Sequence, residues 1–317
     1  MPVPVLLVSG FLGAGKTSVV NHLLAHAEGR RIAALVNDFG AINIDAALID
    51  GASEGVVSLA NGCICCSLEG DLLRSLAALL RRDPRPECIV IETSGIAEPG
   101  EIVRNLMDPV IWREAPLETV LCVLDAATPP ARLDDPLLRG QVRAADIVAF
   151  SKPDLAGPAN RAALEAAVQA IRPGAVMITA LHGAVPTALV FPADPDRLPA
   201  TRIPRRHIPG PRRPAAERFE TLHWVSDQPL SLPALQRAIG RLAPKLARAK
   251  GLFESAGEPG REYVFQFAAG RASLAPRGAL APDAPRARIV FIAEIGALTE
   301  AEIARVMGEC VAASPAR

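Results

Sequence analysis

The sequence lacks an excess of charge of either sign, and it lacks any apolar run long enough to cross a membrane. Its 317 residues include 34 Lys plus Arg and 34 Asp plus Glu, so the formal net charge is zero. Proteins that bind nucleic acid through many phosphate contacts need a basic excess, so we expect no nucleic-acid partner. Without a spanning run, and without the basic start of a signal peptide, we expect a cytoplasmic protein with no membrane partner.

Cysteine is also scarce, but its distribution is uneven. The chain has six cysteines, and three of them lie in the hexapeptide NGCICC at positions 61 to 66. Half of the residues are hydrophobic, which is enough for a core without disulfides. Where thiols stay reduced, such a cluster indicates a metal site or a redox device. Cys88, Cys122 and Cys310 stand alone among apolar neighbours, and we expect them to be buried as small hydrophobic side chains.

Val/Ile-rich runs alternate with helical patterns through the first 190 residues. Continuous apolar runs of this kind suit strands that are buried on both faces of a parallel sheet. The alternation predicts an α/β fold, a three-layer domain with a mostly parallel sheet over residues 1–190. The predicted strands are 3–9, 31–37, 87–92, 118–126, 146–151 and 175–179, and helices are predicted at 71–82 and 161–171.

The composition changes after this domain. Residues 191–214 are rich in proline and arginine, which predicts a semi-rigid linker, with a docking surface for an acidic partner as the alternative. Residues 215–317 predict a smaller α+β domain. Its predicted strands are 218–226, 262–267 and 287–295. A helix is predicted over 231–251 with Gly251 as its C-cap, and another over 299–311 with a capping box formed by Thr299 and Glu302.

Residues 10–17 read GFLGAGKT and fit the phosphate-binding pattern G-x-x-x-x-G-K-[ST] between a predicted strand and a predicted helix. The glycines let backbone N–H groups turn inward around phosphate oxygens, and the helix N-terminus adds partial positive charge. Lys16 would neutralise the β- and γ-phosphates, while the Thr17 hydroxyl would ligate Mg²⁺. The predicted nucleotide-binding residues of this loop are Gly10, Gly13, Ala14, Gly15, Lys16 and Thr17.

Acidic residues follow two of the predicted strands, at the edge of a parallel sheet where ligands bind. Glu92 ends the strand that precedes Gly95; the carboxylate can hold the Mg²⁺ shell or the attacking water, and the Gly95 N–H can contact the γ-phosphate. Asp38 and Asp45 follow the second strand. We predict catalytic roles for Lys16, Thr17, Glu92 and Asp38, whereas Asp45 suits a turn cap equally well.

The segment FSKPDL at 150–155 ends another strand and is similar to the base-reading element N-K-x-D of GTPases. An aspartate at the last position accepts two hydrogen bonds from guanine, a pair that adenine does not offer. Lys152 and Asp154 fit the pattern, and Ser151 replaces the usual asparagine. We therefore predict GTP as the nucleotide, bound through Ser151, Lys152 and Asp154.

The motifs occur in the order GFLGAGKT, NDFG, NGCICC, ETSG and SKPD, before a second domain that contains RAKG and RIVFIAEI. This order resembles the CobW family of P-loop GTPases, relatives of the urease and hydrogenase nickel-insertion GTPases, over nearly the whole chain. The most specific part is the C-x-C-C cluster. The resemblance implies a CobW-type C-terminal domain, GTP binding with slow hydrolysis, and delivery of a metal to a client metalloprotein.

By the same resemblance, Cys63, Cys65 and Cys66 are the metal ligands. Two departures stand out: Asp38 and Ala41 occupy positions where the family often has glutamate, and a His-rich stretch between the domains is absent. Three thiolates favour Zn²⁺, with Co²⁺ and Fe²⁺ as alternatives. Three sulfurs leave a tetrahedral site one ligand short, which suits transfer of the metal.

Four alternatives stay open from the residues alone. The first is that two cysteines of the cluster form a redox pair instead of a metal site. The whole protein would also suit a nucleotide-gated metal-sensing binding protein with negligible turnover, a cobalt or iron insertion factor, or a small-molecule kinase, although no base and acceptor pocket is evident for a kinase.

Overall fold

The structure is a computed structural model that describes residues 2–27, 29–36, 56–58, 68–191, 219–280 and 284–312. The chain divides into two compact units, residues 1–191 and 192–317. The predicted linker lies outside the described residues, apart from Phe191, which is buried in the first unit. Among the described residues, no helix has the length and apolar character needed to cross a membrane.

The first unit is built on a parallel sheet of seven described strands. They are β1 (Val5–Ser9), β2 (Ile32–Val36), β3 (Val56–Ser58), β4 (Cys88–Glu92), β5 (Leu117–Asp125), β6 (Ile147–Ser151) and β7 (Val176–Ala180). Their order across the sheet is β3-β2-β4-β1-β5-β6-β7, and all neighbouring strands run parallel. Every residue of β1, β2, β4 and β6 is buried, so both faces of the sheet are covered. The predicted parallel α/β fold is confirmed.

Helices cover this sheet with the apolar stripes that the sequence predicts. In α2, Leu72, Leu76 and Leu79 pack into one core cluster, and in α6, Leu164 and Val168 pack into another. Burying a leucine of this kind contributes about 1.5–3 kcal/mol. The helices are α1 (Lys16–Ala25), α2 (Leu68–Leu80), α3 (Pro99–Leu106), α4 (Pro109–Glu114), α5 (Pro136–Ala144), α6 (Pro158–Ile171) and α7 (Thr187–Val190).

The second unit is an antiparallel sheet packed against two helices. Its described strands are β8 (Phe219–Ser226), β9 (Leu246–Glu254), β10 (Arg261–Ala268), β11 (Arg271–Ala279) and β12 (Ala287–Glu294), in the order β11-β10-β9-β12-β8. The helices α8 (Leu232–Leu242) and α9 (Glu300–Gly308) share one apolar core with the sheet. The predicted α+β class of this domain is confirmed.

The helix predicted over 231–251 is wrong in its second half. It ends at Leu242, and a 3₁₀ turn over Ala243–Lys245 leads into β9. Gly251 is therefore not a C-cap but lies inside β9, where a Cβ atom would come within 2.5 Å of the Ile289 side chain on β12. Pro244 explains the break, since proline has no N–H for continued helical bonding.

The last helix begins as predicted. The Thr299 hydroxyl accepts a hydrogen bond from the Glu302 N–H at 3.2 Å, which confirms the N-cap. The Glu302 carboxylate binds Lys245 Nζ at 2.8 Å, a partner in the turn before β9, instead of completing the predicted capping box. The helix ends at Gly308, three residues before the predicted end.

Candidate functional site

The segment GFLGAGKT runs from the end of β1 into the first turn of α1. Gly10 has a φ of 140°, and a Cβ there would lie 2.2 Å from the Val123 carbonyl oxygen of β5. Gly13 and Gly15 also have positive φ, and Gly15 is the left-handed N-cap of α1. Side chains other than glycine rarely adopt these conformations, so the loop shape follows directly from the motif. The loop thus presents its backbone at a helix N-terminus, as phosphate binding requires.

Three of the predicted side chains lie at the end of this segment and on the neighbouring strand β4. Lys16 is 7% exposed, and its Nζ donates a hydrogen bond to the Phe11 carbonyl at 3.2 Å. The Thr17 hydroxyl donates to Glu92 Oε1 at 2.9 Å. Glu92 is 2% exposed at the end of β4, which pairs with β1 on one side and β2 on the other. A buried carboxylate bonded to a hydroxyl is a set of hard oxygen donors that fits Mg²⁺.

The turn after β4 packs against the phosphate loop. A Cβ on Gly95 would lie 2.6 Å from the Leu12 nitrogen, so only glycine permits this approach. The buried Gln141 amide of α5 donates to the carbonyl oxygens of Gly95 and Ala97 at 3.2 and 3.4 Å and holds the turn in place. Sequence reasoning missed Gln141 because one polar residue in a helix has no distinguishing pattern.

The segment after β6 lies beside the other end of the loop. Buried Ser151 donates its hydroxyl hydrogen to the Ala14 carbonyl at 2.6 Å. Lys152 has a left-handed φ of 47°, and its Nζ contacts Asp125 Oδ2 at 2.8 Å. Asp154 is exposed on the following 3₁₀ turn. Asp125 was not among the predicted site residues; the signal was its position at the end of the predicted strand over 118–126.

Several predicted residues lie outside the described part of the chain. They include the second-strand acids Asp38 and Asp45 and the predicted metal ligands Cys63, Cys65 and Cys66. Within the described residues, no group of three or more His, Cys, Asp or Glu side chains is placed to hold a metal ion. Val36 is the last described residue before Asp38, and it is in register with Glu92 on β4.

The other three cysteines are buried and free, as predicted. Burial raises the pKa of Cys88 to about 11 and that of Cys122 to about 12, and it also raises the pKa of Cys310. Because the thiolate is the nucleophile and the metal ligand, a raised pKa makes these three side chains poor nucleophiles and poor metal ligands.

The buried cysteines and the NGCICC cysteines should differ in their reaction with a thiol-labelling reagent. At pH 8, a thiol with a pKa of about 11 is ionised in about one molecule in a thousand, so iodoacetamide should not label Cys88 or Cys122 in the folded protein. We expect three labelled cysteines under native conditions and six in denaturant, mapped by peptide mass spectrometry. Equal labelling rates for Cys88 in both conditions would contradict its burial.

The glycine-rich loop lies at the carboxyl edge of a parallel sheet and carries a lysine and a threonine, with a buried acid nearby. This combination defines a P-loop nucleotide-binding protein. Two family models match the chain. The CobW/HypB/UreG nucleotide-binding domain matches residues 4–179, and the cobalamin synthesis protein cobW C-terminal domain matches residues 219–311. The chain belongs to the CobW family of P-loop proteins.

The chain is also similar to named proteins. The zinc chaperone YjiA of Escherichia coli strain K12 is 31% identical over 278 residues, which cover 84% of this chain and 86% of YjiA. The zinc chaperone CobW of Pseudomonas aeruginosa is 33% identical over 221 residues. The matched region covers 59% of this chain and 59% of the relative. A crystal structure of Zn(II)-bound YjiA GTPase from E. coli is 25% identical with a TM-score of 0.48, covering 98% of this chain and all of that one.

Proposed function

We propose that this chain is a GTP-hydrolysing metallochaperone, which binds Zn²⁺ through the thiolates of Cys63, Cys65 and Cys66 and transfers it to a client metalloprotein. The observation that carries the GTPase part is the contact of Thr17 with Glu92 beside the buried Lys16. Family membership and relatives named as zinc chaperones support the metal part.

The phosphate loop supplies the groups for binding GTP. Backbone N–H groups around Gly13 and Gly15 hold phosphate oxygens, and Lys16 exchanges the Phe11 carbonyl for the β- and γ-phosphates. Thr17 and Glu92 would hold Mg²⁺, which would supply positive charge to the phosphate oxygens. Alternatively, the Glu92 carboxylate would orient the attacking water, with Asp38 as a second acid, and the Gly95 N–H would contact the γ-phosphate.

The cysteine cluster supplies the groups for the metal. Three thiolates match the preference of Zn²⁺ for sulfur, and a fourth position remains for water, for Asp38 or for a ligand of the client. An incomplete ligand set favours release. Hydrolysis of GTP would then reset the site after transfer, since ordered loops around a γ-phosphate relax when it is lost.

Turnover of GTP with and without one equivalent of Zn²⁺ tests this proposal. A metallochaperone that couples the two sites should hydrolyse GTP slowly and change its rate when the metal binds. Nucleotide binding with no turnover in either condition would favour a metal-sensing binding protein. Metal binding without any nucleotide binding would contradict both functions.

Base selection should depend on Asp154. Asp154→Ala removes two hydrogen bonds from guanine to a carboxylate, each contributing about 1.5 kcal/mol or more, so GTP affinity should fall about 100-fold. ATP affinity should hardly change. Competition against a fluorescent nucleotide measures both values, with Asp134→Ala, an exposed acid on another 3₁₀ turn, as the matched control. Equal affinities for GTP and ATP in the unmodified protein would exclude this assignment.

A further inference from the structure

Ser151 connects two parts of the nucleotide site. It is the last residue of β6, it is 5% exposed, and its hydroxyl donates to the Ala14 carbonyl at 2.6 Å. Ala14 directly precedes Gly15, the N-cap of α1, and a Cβ on Gly15 would lie 3.7 Å from the Ser151 Cβ. The serine side chain is therefore packed against the end of the phosphate loop and fixes its position.

The single hydroxyl hydrogen of Ser151 limits the number of hydrogen bonds that this side chain donates. A serine hydroxyl has one hydrogen to donate, and here that hydrogen is bonded to Ala14. The N7 and O6 atoms of guanine are both acceptors, so a side chain that reads them must donate. The asparagine usual at this position carries two N–H donors, enough for a loop carbonyl and a base atom together. Serine has no second donor.

Lys152 and Asp154, the next two residues of the base-reading element, differ in the contacts that they make. Lys152 Nζ is held at 2.8 Å from Asp125. Asp154 is exposed, and its carboxylate only accepts hydrogen bonds, so it suits the N1–H and amino donors on the opposite edge of guanine. Selection for guanine over adenine is therefore compatible with an N7 edge that no side chain reads.

We propose that Ser151 anchors the phosphate loop and leaves N7 of guanine unread. The site then accepts guanine nucleotides altered at N7, with 7-deaza-GTP as the simplest example, as well as it accepts GTP. This inference rests on the proposed GTP binding and deepens it, because it assigns base selection to Asp154 and loop anchoring to Ser151.

The test compares GTP, 7-deaza-GTP and ATP in competition against a fluorescent GDP derivative, with the full chain and Mg²⁺. In the unmodified protein, the two guanine nucleotides should bind within twofold of each other, and both should bind more tightly than ATP. Ser151→Ala removes the anchor, so all three affinities should fall by a common factor of about five. Ser151→Asn adds a donor and should create a preference for GTP over 7-deaza-GTP of about fivefold or more.

Each result has a distinct meaning. If the unmodified protein prefers GTP over 7-deaza-GTP fivefold and Ser151→Ala abolishes that preference, Ser151 reads the base and the inference fails. If Ser151→Ala keeps the preference, another group reads N7 and the inference fails as well. Should Ser151→Asn not fold, as judged by thermal melting, the other two proteins decide the question. Failure of every guanine nucleotide to bind would overturn the proposed function itself.

Discussion

Replacing Lys16 with alanine should reduce GTP hydrolysis to the uncatalysed background. The Lys16 ammonium is the positive side chain inside the phosphate loop, where its Nζ bonds to the Phe11 carbonyl at 3.2 Å. Negative charge grows on the phosphate oxygens as the bond to the γ-phosphate breaks, and a preorganised cation in a water-poor site stabilises that charge. Loss of one such group typically costs a factor of about 100 to 1,000 in turnover.

Phosphate release under saturating GTP, at equal concentrations of folded protein, measures this effect. Lys245→Ala is the matched control, because that lysine belongs to the second unit and pairs there with Glu302. Glu92→Gln keeps an oxygen for the Thr17 hydroxyl but removes the charge offered to Mg²⁺, so turnover should also fall. Normal hydrolysis by the Lys16→Ala protein would place the activity elsewhere in the chain or in a contaminant.

The phosphate loop was predictable because its information is local. Eight consecutive residues determine the positive φ angles at Gly10, Gly13 and Gly15 and place Lys16 and Thr17 in the first turn of α1. The apolar stripes of α2 and α6 were predictable for the same reason, since a periodic pattern within one helix identifies the buried face.

Contacts between distant segments were not predictable. The bond from Ser151 to Ala14 joins residues 137 positions apart, and the bond from Gln141 to Gly95 spans 46 positions. No pattern within either segment specifies its partner. Strand β11 was missed because all its residues are exposed and lack alternation, so its conformation follows from pairing with β10. The error over 231–251 arose where one apolar stripe continued from α8 into β9.

Replacing Cys63, Cys65 and Cys66 together with serine should abolish tight Zn²⁺ binding. Thiolates bind this ion far better than hydroxyls, which remain protonated at neutral pH. The remaining cysteines offer no substitute site, because burial raises the pKa of Cys88 to about 11 and that of Cys122 to about 12. We expect one Zn²⁺ per chain in the unmodified protein, with an affinity that falls as the pH drops, since binding releases thiol protons.

The same variant tests whether the metal and the nucleotide are coupled. If GTP changes the affinity for Zn²⁺, linkage requires Zn²⁺ to change the affinity for GTP by the same factor, and about 1–3 kcal/mol is typical of such coupling. Paired titrations measure it: Zn²⁺ binding with a GTP analogue and with GDP, then nucleotide binding with and without Zn²⁺. The triple variant should lose both the metal and the coupling, while Cys88→Ala, which removes a buried inert thiol, should keep both. Undiminished Zn²⁺ affinity in the triple variant would exclude the cluster as the site, and equal affinity with both nucleotides would leave a metal site that GTP does not control.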